Sequence, residues 1–377
     1  MVRIGGFGPA DKDAGTTLNC PYLCRLMTTQ AQTTDIRALN PEQLEAWVLA
    51  LGEPRFRAKQ IYQWLWKKQV TDFDRMSDLS KALREKLKNS AVIRPLVLDK
   101  AQFSTDGTIK FRFTLHDGHK IESVLIPVAQ DQRYTVCVST QVGCSLTCSF
   151  CATGRMKRVR NLEAAEIVDQ YMLVNRQCLE KYGTPLSNIV YMGMGEPLLN
   201  YREVMRSVDL LTNENALGIS PRRITVSTAG IAKMIRQLGD DQVRFNLALS
   251  LHAADDVKRN KIMPINEQNH LEVLMEALEY FYAKTQNEIT YEYIAFNQFN
   301  DSLADAQWLT RLCKRNFPVK VNIIEYNPVE GVDLKKSSKD RLDQFASYLY
   351  NHGVNVTIRR SRGKDIDAAC GQLANKE

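Results

Sequence analysis

Tyr134-Thr135-Val136-Cys137-Val138-Ser139-Thr140-Gln141-Val142-Gly143-Cys144-Ser145-Leu146-Thr147-Cys148-Ser149-Phe150-Cys151 joins two kinds of signal. Tyr134–Val138 is a short apolar run rich in β-forming residues, which predicts a strand. A polar, glycine-containing loop follows, and three cysteines lie on it at spacings of four and three. The chain then turns helical, with Ala164, Ile167, Val168 and Tyr171 on one face.

The same alternation continues toward the C-terminus. Asn188–Met192, Arg223–Ser227, Phe245–Ser250, Ile289–Ile294 and Val319–Ile324 read as strands, and Val354–Ile358 as a further one. Amphipathic patterns such as Leu274, Ala277, Leu278 and Phe281 lie between them. Strands alternating with helices predict an α/β domain with a parallel sheet and helices outside. Six βα units are fewer than the eight of a closed barrel. A partial, laterally open barrel and an open doubly wound sheet both fit, and in either the chemistry belongs at the C-terminal strand ends. Small and polar residues collect there: Gly193-Met194-Gly195-Glu196-Pro197, Ser227-Thr228-Ala229-Gly230, Ser250-Leu251-His252 and Asn327-Pro328.

The chain has 9 cysteines, an odd number, and no secretory signal pattern, so a disulfide framework is a poor account. Cys144, Cys148 and Cys151 can wrap one face of a metal site. Structural zinc usually takes four ligands, and no nearby Cys or His completes such a set. Thiolate-only ligation suits an iron–sulfur cluster, and three ligands on four irons leave one iron open for a substrate. Cys178 and Cys313 sit in helical patterns and read as small apolar residues. Cys370 lies in a polar, glycine-flanked segment after Arg359, Arg360, Arg362 and Lys364, a setting that favours a reactive thiolate.

The 377 residues are 44% hydrophobic and 25% charged, which excludes disorder and low complexity. No run approaches the ~18 apolar residues of a spanning helix. Lys and Arg exceed Asp and Glu by 7. Asn40–Lys100 carries 12 basic against 8 acidic residues, and Arg155, Lys157, Arg158 and Arg160 form another cluster. Such clusters fit a polyanionic partner, nucleic acid first. Asn40-Pro41-Glu42-Gln43 is a helix start. Helices over 57–68 and 80–88 follow, and Gly52-Glu53-Pro54 between the first two resembles a helix-hairpin-helix turn. Asp106-Gly107 and Asp117-Gly118 flank an alternating run, which predicts a β-hairpin. The division expected is an extension without order over 1–37, in which Cys20 and Cys24 are incidental and Met27 is a candidate start. A helical RNA-binding module follows over 38–100, then a hairpin linker over 101–130 and a catalytic domain over 131–377.

Three segments carry a family resemblance: Cys137 to Cys151, Tyr191-Met192-Gly193-Met194-Gly195-Glu196-Pro197-Leu198-Leu199-Asn200, and Gly363 to Leu373. They resemble the dual-specificity adenine methyltransferases called RlmN, of the radical S-adenosylmethionine superfamily, with Cfr as close kin. The resemblance implies a partial (β/α)6 TIM-like barrel of the radical SAM type, with a [4Fe-4S] cluster on Cys144, Cys148 and Cys151. It implies S-adenosylmethionine bound by Gly195, Glu196, Ser227, Ser250, Leu251, His252 and Asn327. It implies methylation of adenosine carbon 2 in the peptidyl transferase centre of 23S rRNA, and in tRNA beside the anticodon. Cys370 would take a methyl group from one S-adenosylmethionine. A 5′-deoxyadenosyl radical from a second would abstract hydrogen from it, and the methylene radical would add to the adenine. Cys137 would take the ring proton and release the adduct as a disulfide, with Glu122 near the base. A polar route is closed to this carbon, which lies between two ring nitrogens and is not nucleophilic, whereas a carbon radical can add there. Lys157-Arg158 departs from the Gly-Phe or Gly-Leu usual in the family and adds charge beside the cluster loop. The implied partners are 23S rRNA, tRNA and a flavodoxin-like one-electron donor, for a cytoplasmic monomer with no membrane contact. Carbon-8 methylation, as in Cfr, uses the same cysteines. A zinc-containing RNA-binding protein is the reading outside this class.

Overall fold

The computed structural model describes residues 34–375. The described structure extends before the expected boundary at residue 38. Thr34–Asp35 pairs in parallel with Ala91–Val92, and Ile36–Ala38 forms a 3-10 turn. The extension expected over 1–37 is therefore corrected at its end. Residues 1–33, with Cys20, Cys24 and Met27, lie outside the described residues. The sequence conceals this start because Arg37 reads as a loop residue, yet it is buried. Its guanidinium donates to both carboxylate oxygens of Asp169 at 2.7 and 2.9 Å.

The module contains α1 (Pro41–Ala50), α2 (Phe56–Tyr62) and α3 (Lys81–Ser90). A reciprocal capping box starts α1: Asn40 Oδ1 accepts from Gln43 N at 2.7 Å, and Gln43 Oε1 accepts from Asn40 N at 3.0 Å. Leu44, Val48, Ile61, Leu65, Leu83 and Leu87 turn inward and are buried together.

The expected hairpin is one strand longer, and it is no linker. β1 (Val97–Phe103), β2 (Ile109–Thr114) and β3 (Lys120–Val128) form an antiparallel meander, and β3 pairs antiparallel with β4 (Arg133–Cys137). β1 carries little sequence signal because it is a mostly exposed edge strand with no buried alternation.

β4 begins the parallel part, followed by β5 (Asn188–Tyr191), β6 (Ile224–Thr228), β7 (Asn246–Ser250), β8 (Ile289–Ala295), β9 (Val319–Glu325) and β10 (Asn355–Arg359). The connections carry α4 (Ala164–Tyr182), α5 (Tyr201–Thr212), α6 (Ala232–Asp240), α7 (Asp256–Ile262), α8 (Leu271–Thr285), α9 (Leu303–Leu312) and α10 (Lys339–Asn351). Strand order across the whole sheet is β10-β9-β8-β7-β6-β5-β4-β3-β2-β1. A doubly wound sheet reverses its order at a switch point. This one never reverses, so it curls as a barrel, and its two edge strands do not pair with each other. Cys178 is buried in α4, and Cys313 is half-buried at the end of α9.

Candidate active site

The barrel encloses a cavity of about 640 Å³. Cys137, Cys144, Cys148, Cys151, Gly195, Glu196, Ser227, Ser250, His252 and Cys370 all line it. The remaining expected site residues stand back from the lining. Leu251 is wholly buried. Asn327 Nδ2 donates to Ser361 Oγ at 2.9 Å. Glu122 is buried, and its Oε2 accepts from Ala374 N at 2.9 Å and Asn375 N at 3.2 Å.

The cysteine loop is held against the barrel by backbone bonds. Cys144 N donates to Met156 O, and Ser149 N to Ile262 O. Leu146 N lies 3.4 Å from Cys144 Sγ, an amide aimed at sulfur of the kind that stabilises a cluster thiolate. Burial pushes the Cys144 thiol up to about 11. Burial, and then the neighbouring thiols Cys151 and Cys144, push Cys148 up. Crowded thiols resist ionisation until a cation reverses the local charge, which is the behaviour of a metal-binding set. Among the described residues, no three His, Cys, Asp or Glu side chains are grouped to hold a single metal ion. That grouping is what a zinc ion with Zn–S of about 2.3 Å requires. A four-iron cluster takes one thiolate per iron, so it accepts donors spread along a loop. Three thiolates on one loop fit a cluster that takes one thiolate per iron and leaves the fourth iron open.

Glu196 is delivered by a turn that only glycine allows. Gly195 has φ +96°, and a Cβ there would lie 2.5 Å from Gln141 Cβ. Glu196 Oε2 accepts from Ala229 N at 2.8 Å and Oε1 from Leu198 N at 3.1 Å. Burial raises its pKa against these bonds, so it has reason to accept a cationic partner.

His252 Nδ1 accepts from Ile294 N at 3.1 Å, so a neutral ring carries its proton on Nε2. Burial, then the Arg259 charge, holds the imidazole down at about 3. At that value the ring is neutral at pH 7, and its Nε2–H remains as a hydrogen-bond donor. Its ring stands edge-on to Phe150, with centroids 4.8 Å apart.

Cys370 arrives on the C-terminal segment, which straps the open side of the barrel. Gly363 N donates to Asp106 Oδ2 at 2.9 Å, and Ser104 Oγ to Asp365 Oδ1 at 2.6 Å. Ala152 N donates to Gly371 O at 2.8 Å, and Thr153 Oγ1 to Leu373 O at 2.6 Å. Cys370 is open to the cavity, although protein surrounds it. Burial first, and the Glu292 carboxylate second, push its thiol up to about 11. Burial and then Cys370 push Cys137 up to about 12.

Three residues on or beneath this cavity carry no motif in the sequence. Arg259 is fully buried and donates to Leu251 O, Ala229 O, Ser250 O and Asn266 Oδ1. Nothing in its helical context marks it. Glu292 and Asn322 line the cavity from the middle of β8 and β9. Their signal was legible: a charge and an amide interrupt runs predicted to be buried strands.

The basic run Arg359, Arg360, Arg362 and Lys364 is partly spent inside the fold. Arg360 and Lys364 contact Glu325 at 2.7 and 2.8 Å, and Arg359 lies 3.6 Å from Glu292. Those charges fasten the strap as well as facing solvent.

Comparison with known proteins agrees with this geometry. Residues 34–93 match the ribosomal RNA large subunit methyltransferase N-terminal domain, and residues 138–307 match the radical SAM superfamily. The probable dual-specificity RNA methyltransferase RlmN of Cytophaga hutchinsonii is 54% identical, over 94% of this chain and 97% of that one. That of Christiangramia forsetii is 51% identical, over 91% and 96%. The crystal structure of a radical SAM methyltransferase from Sphaerobacter thermophilus aligns with a TM-score of 0.85 at 40% identity, covering 91% of this chain and all (100%) of that one. The chain belongs to the RlmN family of dual-specificity RNA methyltransferases, radical SAM enzymes that use a [4Fe-4S] cluster and S-adenosylmethionine.

Proposed function

We propose that this enzyme methylates carbon 2 of adenosine in the peptidyl transferase centre of 23S rRNA, and in tRNA beside the anticodon. One observation carries the reading: Cys370 and Cys137 face the same cavity as the cysteine triplet. Bound there, the cluster and S-adenosylmethionine supply one-electron cleavage of a sulfonium and hydrogen abstraction. The chain's own residues do the rest. Cys144, Cys148 and Cys151 hold the cluster, and Glu196 receives the methionine ammonium. Gly195, Ser227, Ser250 and His252 shape the same pocket, with Leu251 and Asn327 behind it. Cys370 carries the methyl group as a thioether and holds the base covalently once carbon is joined to carbon. Cys137 takes the ring proton while the odd electron left by radical addition passes to a one-electron acceptor. As a thiolate Cys137 then attacks the Cys370 sulfur. The pair of the breaking carbon–sulfur bond stays with carbon, which takes a proton to become the methyl group, and a disulfide forms. A cationic sulfonium entering the cavity lowers both thiols from their high resting values.

RNA reaches this mouth past the helical module. A groove of about 630 Å³ between the module and residues 213–215 is lined by Arg55, Phe56, Lys59 and Tyr62. Cations beside the exposed Phe56 ring suit a stacked base and its phosphates. No helix among the described residues is long and apolar enough to cross a membrane. The enzyme works in the cytoplasm as a monomer with a flavodoxin-like electron donor.

Mass spectrometry of digested 23S rRNA and tRNA from a deletion strain tests the assignment. Loss of 2-methyladenosine, restored by the gene, is expected. Its persistence, or loss of 8-methyladenosine instead, overturns carbon 2.

A further inference from the structure

Glu292 and Asn322 are partners across β8 and β9, in direct register. Both are buried, yet both line the cavity. Glu292 Oε1 is satisfied, by Asn322 Nδ2 at 2.7 Å and Thr290 Oγ1 at 3.3 Å. That contact also fixes the Asn322 amide, because a flipped amide would set its oxygen against the carboxylate. Two acceptors are left over. Glu292 Oε2 and Asn322 Oδ1 are buried with no hydrogen-bond donor. Arg359 Nη1 stands 3.6 Å from Glu292 Oε2, an ion-pair distance too long for a hydrogen bond.

Buried acceptors without donors are costly and rare, and a pair of them on two neighbouring residues that line one cavity asks for a donor. The ligand must donate. A phosphate or a carboxylate would meet acceptors and be repelled. Glu196, which suits the methionine ammonium, stands on the loop after β5, apart from β8 and β9. The exocyclic amine of adenine carries two N–H donors on one nitrogen, matching two acceptors on neighbouring strands. Cys370 lines the same cavity, and Glu292 is the largest influence of charge on its thiol.

We propose that Glu292 and Asn322 form the acceptor floor of a 6-aminopurine site, which takes the exocyclic amine of an adenine held against Cys370. The proposal rests on the RNA-adenosine reading above and adds to it the means of choosing the base. A 6-oxopurine presents a carbonyl where the site already has acceptors, so guanine and hypoxanthine are refused. Two adenines can enter this cavity, that of the target nucleotide and that of S-adenosylmethionine, and the test separates them.

Equilibrium binding is measured on the holoenzyme with reductant withheld. The probes are RNA fragments with adenosine, purine riboside or inosine at the methylated position. Removing the amine should weaken wild-type binding about 10–100-fold, and inosine should bind more weakly still. In Glu292→Gln the same exchange should cost only about twofold. If Glu292→Gln instead weakens S-adenosylmethionine and leaves the RNA series unchanged, the site is upheld with the cofactor's adenine as its occupant. The substrate exchange needs no variant, so misfolding cannot mimic it. Equal wild-type binding of all three RNAs, with S-adenosylmethionine binding unaltered in Glu292→Gln, overturns the proposal while methyl transfer to the unmodified RNA stands. Failure of the wild-type enzyme to methylate that unmodified RNA overturns the underlying reading, and the proposal with it.

Discussion

Arg259 donates to the carbonyls of Ala229, Ser250 and Leu251, so one guanidinium ties together the ends of β6 and β7. Burial lowers it to about 10, with the Cys148 thiol acting in the other direction. It is a buried cation beneath the site that three thiolates and a cluster would make negative. Removing it takes a donor from Ala229 O, Ser250 O and Asn266 Oδ1, while Leu251 O keeps Ala253 N, a loss of several kcal/mol at about 1–3 kcal/mol each. Arg259→Met should therefore lower Tm and cut the iron retained after anaerobic reconstitution to well below half, and Arg259→Lys should keep more iron than Arg259→Met. Full iron content and an unchanged Tm in Arg259→Met would discard the charge-balance argument. The roles proposed for the two other cysteines are tested at the same scale. Cys137→Ala should accumulate a covalent RNA adduct on denaturing gels, because the thioether forms and is not released. Cys370→Ala should form none. An adduct-free Cys137→Ala enzyme that still methylates RNA would remove Cys137 from the resolving step.

The C-terminal strap is an element held in part by ion pairs. Glu325 takes Arg360 and Lys364. Burial alone would raise its pKa, but those two bonds win and hold it at about 2, below the ordinary 4.5. A folded-state pKa below the unfolded one gives stability that is fully present above about 4.5 and lost as pH falls toward 2. Asp106, whose pKa is also held low, accepts from Gly363 N and falls in the same direction. Amide protection around residues 360–373, corrected for intrinsic exchange, should decline across that window before the barrel strands lose theirs. Glu325→Gln should show the loosened strap already at pH 7, and unchanged protection in that variant would show that apolar contacts hold the segment instead. The strap also marks where the sequence stopped being legible. Repeating strands and helices, the thiol loop and Gly195-Glu196 could be read because each depends on neighbours in sequence. Glu122 was expected beside the base. Its place under Ala374 and Asn375 depends on a contact across 252 residues, which no local pattern records. The extra strand β1 was missed for a related reason, since an exposed edge strand has no buried face to leave a period in the sequence.

Over the whole molecule, the module and the barrel are joined by a buried charge. Arg37 contacts Asp169 on α4 and Asp35 beside it, and Asp169 also accepts from Leu96 N at 3.0 Å. Breaking a buried pair from one side leaves an uncompensated charge, so Arg37→Met should destabilise by about 3–5 kcal/mol. Chemical denaturation of the purified chain measures this, and a loss under about 1 kcal/mol would mean that the joint is held by packing. The net surplus of 7 positive charges can then be apportioned. Arg359, Arg360 and Lys364 contact acidic groups of the fold, and Arg160 is bound to Glu166 and Asp117. Lys157 and Arg158 are exposed beside the cluster loop, and Lys59 is exposed on the module with Arg55, which touches Glu45. If the module grips phosphates, neutralising one gripping cation should flatten the salt dependence of RNA binding by about 0.7–0.9 in log–log slope. Arg57 is best left in place, because it donates to Gln60 and to Asp78 O and so supports the fold. The double variant Arg55→Gln with Lys59→Gln should therefore bind RNA with a slope shallower by about 1.5, at unchanged Tm. A slope equal to wild type would assign the module to docking alone and leave RNA capture to the barrel mouth.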